Sequence, residues 1–172
     1  MRRQKKKLNI LTPRMTANER WQKHFEKLIK WAKSKGYMVK CETDADDRIE
    51  FETKTIYIDS RNWAERRYYT LLHECGHLLI DKRSDSFTKY LPCPLYVYSN
   101  DRRTTKTDGY KVSLIAEEID AWRRGLRLAS RLKLPVDRKK FDEEMARSVM
   151  SYIEVAAEEN ILKGVYNDCY CS

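Results

Sequence analysis

Apolar residues recur every three or four positions through much of this chain, and they alternate in one short stretch near residue 50. Trp21, Phe25, Leu28, Ile29 and Ala32 share one helical face. Pro13 and the pair Thr16 and Glu19 mark the start of that helix, and Gly36 marks its end. Three strand-like runs follow. Tyr37, Val39 and Cys41 alternate with polar neighbours, then Ile49 and Phe51, then Ile56 and Ile58 around Tyr57. The polar stretch 44–47 and the pair Thr53 and Lys54 read as turns, which together predict a small antiparallel sheet. The helical period returns over 60–82, where Leu71, Leu72, Cys75, Leu78 and Leu79 form a broad apolar face and Asn62 with Glu65 reads as a capping box. Residues 81–111 carry no period. A further helix is expected over 112–134, ended by Pro135. Asp137 opens a last one, whose stripe of Phe141, Met145, Val149, Tyr152, Ile153 and Ala156 reads as core packing.

This order predicts an α+β fold, with the small sheet packed against the 60–82 helix and further amphipathic helices. A chain of 172 residues is long enough to bury a core without disulfides. The domain is expected over 16–163, between a basic N-terminal arm, 1–15, and a C-terminal tail, 164–172. No apolar run approaches the roughly 18 residues of a membrane span. The five cysteines are odd in number and irregularly spaced, which argues against a secreted disulfide framework. Cys169 and Cys171 read as part of an ordinary terminus. A cytoplasmic protein is the expectation.

Charge sharpens one point. The net charge is +9, and Arg2, Arg3, Lys5, Lys6, Lys7 and Arg14 contribute six of it with no acid among residues 1–15. Such an arm suits phosphate contacts to nucleic acid, an acidic partner, or a solvated tail.

The candidate chemistry lies in the 60–82 helix. His73-Glu74-Cys75-Gly76-His77 is an H-E-x-x-H pattern. At 3.6 residues per turn the two histidines stand one above the other, so both imidazoles can bind one Zn²⁺. Glu74 can then take a proton from a water on the open side of the metal. The chain has three histidines and two of them are in this motif, while His24, beside Phe25 and Leu28, reads as structural. Gly76, a weak helix former, is explained by another element approaching closely. A third ligand should be a carboxylate on the following helix. Glu118 has Leu114, Ile115, Ala121 and Trp122 as helical neighbours, whereas Glu117 has Ser113, Asp120 and Arg124 and falls on a wetter face. A carboxylate amid apolar neighbours needs a partner, so Glu118 is preferred over Glu117 as the expected ligand. Tyr90, Tyr96, Tyr98 and Tyr110 each carry a hydroxyl that a tetrahedral intermediate could accept from, but packing is the default for each.

The sequence from Lys54 to Ser60 leading into Leu72 to Leu79, together with Glu117-Glu118-Ile119-Asp120-Ala121-Trp122, resembles the ImmA/IrrE family of metallo-endopeptidases over roughly residues 17–134. The resemblance implies a zincin-like fold, zinc held by His73, His77 and Glu118, Glu74 as general base, and a protein or peptide substrate. Many such proteins are encoded by phages or mobile elements. SprT-like zinc proteases are a more distant likeness in chemistry. Cys75, and the run Arg123 to Leu128 where the family has small residues, depart from the pattern. A competing class is a catalytically silent, nucleic-acid-associated or virion structural or regulatory protein on the same frame.

Overall fold

A computed structural model describes residues 15–81, 90–91 and 105–168. Its elements in order are α1 (Ala17–Ser34), β1 (Met38–Glu42), β2 (Arg48–Glu50), β3 (Thr55–Asp59), α2 (Ala64–Asp81), α3 (Asp108–Arg131) and α4 (Arg138–Asp168). The fold is α+β, as expected. The basic segment 1–14 and Cys169 and Cys171 lie outside the described residues.

Local chemistry explains the helix ends. Thr16 and Glu19 form the capping box at the head of α1, each side chain bonding the other's backbone N–H. At its foot, Gly36 takes φ 87°, and the Tyr37 N–H reaches back to the Ala32 carbonyl. α3 begins four residues earlier than expected, capped by Thr107. It ends in the same way as α1, with Lys133 left-handed and the Leu134 N–H bonded to Ala129. α2 begins at Ala64, two residues after Asn62, and Glu65 does not complete a capping box there. Its carboxylate accepts from the Tyr69 hydroxyl and from Lys140 of α4. α4 runs on to Asp168, into the stretch assigned to the tail.

The sheet is mixed, which corrects the antiparallel expectation. Its order is β1-β3-β2, with β1 parallel to β3 and β2 antiparallel to it. The turn at 51–54 is tight enough for a hairpin, with Lys54 at φ 51°. The longer 43–47 connection carries the chain past one strand position, leaving room for β3 between its two neighbours. Burial favours this order. Ile56 and Ile58 of β3 are fully buried, while β1 is exposed at four of five positions and suits an edge. Alternation identifies a strand but does not say which neighbour it pairs with.

α2 is the centre of the molecule and packs on α1, α3, α4, β2 and β3. Tyr68, Tyr69, Leu71, Leu72, Cys75 and Leu78 are all buried on it, joined by Phe25 and Leu28 of α1, Ile56 and Ile58 of β3, and Leu128 and Ala129 of α3. Cys75 is therefore a packing residue, and burial pushes its thiol well above the ordinary range. His24 stands among Trp21 and Tyr68 in an aromatic cluster, consistent with a structural role.

Two glycines set how closely α2 and α3 approach. A Cβ on Gly76 would lie 1.9 Å from the Ala121 carbonyl oxygen, and one on Gly125 would lie 2.3 Å from that of Leu72. Backbone therefore meets backbone at two points along the crossing. The first contact falls one residue before His77 and three after Glu118. This near approach is what carries the α3 carboxylates over to the α2 histidines.

Candidate metal centre

His73 and His77 stand one turn apart on α2, their rings 4.6 Å apart centre to centre. His73 Nε2 and His77 Nε2 are 3.2 Å apart. Glu118 of α3 reaches both, with Oε2 3.2 Å from His73 Nε2 and Oε1 3.5 Å from His77 Nε2. All three residues are buried, and their donor atoms lie within 4.8 Å of one another. Ligand bonds of about 2.0–2.1 Å at tetrahedral angles separate ligand atoms by about 3.3 Å. The three observed separations bracket that value. Glu118 Oε2 is buried without a hydrogen-bond partner despite its nearness to His73. Close approach without alignment is what donors arranged around a shared cation show. The residues fit a metal ion.

Glu74 is buried beside this triangle, its Oε1 3.9 Å from His73 Nε2, and is not one of the three converging donors. Burial pushes its pKa up, against the pull of the two histidines. Glu118 goes the other way. Burial opposes its ionisation, but contact with His73 and His77 outweighs it and holds the carboxyl down at about 2. For His77, burial would favour the neutral ring. The Glu117 and Glu118 carboxylates overcome it and raise the pKa to about 10.

Glu117 corrects the expectation of a wet face. It is buried, and its Oε1 lies 3.3 Å from His77 Nδ1. Counting neighbours on one helix could not reveal this, because the partner comes from α2. Consecutive helical residues point about 100° apart, so a wide, close crossing can engage both acids. With Nδ1–H donating to Glu117, Nε2 of His77 is left to face the other donors. Such a carboxylate fixes the tautomer and orientation of a ligating histidine. Glu117→Gln is expected to weaken metal affinity by about 10–100-fold while leaving the stoichiometry at saturation unchanged, as measured by competition with a chromogenic chelator.

His73 is held differently. Its ring stacks on Trp122 of α3, 4.6 Å between centres and 23° between planes. Trp122 in turn meets Phe141 of α4 edge-on. The aromatic residue after the acidic pair thus clamps the first histidine in place.

The centre opens into a cleft of about 500 Å³. β2 contributes Ile49 to its wall, α2 contributes Arg66 and Thr70, and α4 contributes Glu144, Arg147 and Tyr152. Tyr152 was expected in the core, and among the described tyrosines it is the one that lines this cleft. Tyr90 is 86% exposed, Tyr110 lies at the start of α3 away from the centre, and Tyr96 and Tyr98 fall outside the described residues. Gly125 and Tyr152 are the site residues that sequence patterns passed over. Gly125 carried a signal, a weak helix former in mid-helix, the same signal read correctly at Gly76.

The raised His77 pKa has a measurable sign. A metal must displace the proton that His77 holds up to about pH 10 in the metal-free protein. Metal affinity is therefore expected to rise about tenfold per pH unit between pH 6 and 8, with release of about one proton per metal ion. Calorimetry in buffers of different ionisation enthalpy reads that proton directly. Flat affinity with no proton release would contradict the pairing.

Comparison with protein-family models, with curated proteins and with solved structures finds no match. Among the described residues no helix is long and apolar enough to cross a membrane.

Proposed function

We propose that this chain is a zinc-dependent metallo-endopeptidase with a zincin-like arrangement of its central helix and sheet. The observation that carries the reading is the position of Glu74, buried beside a His-His-Glu donor triangle but not part of it, at the floor of a cleft. A structural zinc is more often closed by four cysteine or histidine ligands, whereas three protein ligands leave a position for substrate chemistry. His73, His77 and Glu118 would hold the ion. When bound, zinc lowers the pKa of its water to about 7 and polarises a carbonyl.

The protein's own groups account for the rest. Glu74 accepts the proton of the attacking water and returns it to the leaving amine, a role suited to a carboxylate whose pKa burial has raised. Glu117 and Trp122 hold the two histidines. β2 is an edge strand, and Asp47, Arg48 and Ile49 at its start line the cleft. An extended peptide can add to that edge by main-chain hydrogen bonds and lie past the triangle. The resemblance to the ImmA/IrrE metallo-endopeptidases points the same way, with zinc as the cofactor and a protein or peptide as the substrate.

The test uses the full chain with a mixture of unstructured peptides, read by mass spectrometry. Internal cleavage should appear with zinc-loaded protein, stop on chelation and return with zinc. Stoichiometric peptide binding without cleavage by the zinc-loaded protein would contradict it.

A further inference from the structure

α4 packs against α2 through three contacts: Lys140 pairs with Glu65 at 2.8 Å, Tyr69 meets Phe141 edge-on, and Arg66 faces Glu144 at 3.6 Å. Two turns beyond Glu144 on α4, Tyr152 lines the cleft together with His73, Glu74, His77 and Glu118. Tyr152 is half-buried there. A tyrosine hydroxyl is a neutral hydrogen-bond donor at neutral pH.

We propose that Tyr152 is a catalytic residue, its hydroxyl donating a hydrogen bond to the oxyanion that develops on the scissile carbonyl. The proposal rests on the peptidase reading and adds the group on the opposite wall. A carbonyl lying over the triangle has Glu74 on the α2 side and Tyr152 on the α4 side. As water's oxygen adds to the carbonyl carbon, the C=O π pair moves onto oxygen, and a preplaced O–H meets that charge without reorganisation. Glu74 holds the proton removed from the water and passes it to the departing nitrogen. The tyrosine donates a hydrogen bond throughout and loses no proton.

The test avoids any need to know the natural substrate. Wild type, Tyr152→Phe and Tyr152→His are loaded with Co²⁺, whose visible spectrum reports ligands added at the metal. A phosphonamidate dipeptide serves as a tetrahedral, anionic probe, and 2-mercaptoethanol as a probe with no oxyanion. Tyr152→Phe should bind the phosphonamidate at least tenfold more weakly, bind the thiol within twofold of wild type, and retain its metal. Tyr152→His should recover part of the loss. Equal affinity of wild type and Tyr152→Phe for the phosphonamidate overturns the proposal, as does an equal loss for both probes, which would mark a structural residue. If wild type takes up no metal at all, the peptidase reading itself fails, a result distinct from either.

Discussion

Gly76→Ala is expected to destabilise the protein by about 3 kcal/mol, at the upper end of overpacking changes. For a chain of this size that corresponds to a fall in Tm of about 6–12 °C. Helix propensity alone would stabilise the variant by about 1 kcal/mol, so the sign separates the two effects. The new methyl would meet the Ala121 carbonyl oxygen at 1.9 Å, and that neighbour is backbone, which cannot rotate away. α2 and α3 must part, and the parting falls within one turn of His77 and Glu118. Zinc affinity should drop with stability. Gly125→Ala, 2.3 Å from the Leu72 carbonyl oxygen, should behave in the same direction. Thermal melts read the first effect and chelator competition the second. A variant as stable as wild type would show that the two helices are not held at this distance.

Glu74→Gln should lower peptide hydrolysis by about 10³-fold while leaving zinc content unchanged, because the amide cannot take the proton and is not a ligand. Its effect on stability should have the opposite sign. Burial raises the folded-state pKa of Glu74 above its unfolded value. The charged form is thus disfavoured in the fold, and the metal-free protein loses stability as pH rises above about 4.3, the pKa of the unfolded group. The uncharged variant escapes that loss. Metal-free Glu74→Gln should melt at or above the wild-type temperature at pH 7. Melts of metal-free protein and turnover of zinc-loaded protein, measured together, check both halves.

The motif helix was legible because its chemistry and its packing share one period. The placing of His73 and His77 on one helical face follows from spacing, and the close approach at Gly76 follows from a weak helix former in mid-helix. Glu118 was legible from the apolar residues around it on its own helix. What spacing could not convey was anything supplied by a second element. Glu117 sits on a face that looks wet until His77 of α2 is brought against it. Tyr152 belongs to an apolar stripe, and a stripe read alone does not reveal that one end of it borders a cleft rather than the core. The same limit applies to the sheet. Alternation marked all three strands, but the central place of β3, and its parallel pairing with β1, follow from how much of each strand is buried against α2 and from the length of the 43–47 connection.

The most direct measurement is the zinc content of purified wild type and Glu118→Ala, by mass spectrometry of the native proteins with folding checked by circular dichroism. The expected result is about one zinc per chain in wild type and none in folded Glu118→Ala. A folded Glu118→Ala that holds zinc as wild type does, or a wild type that takes up none, would contradict the centre described above.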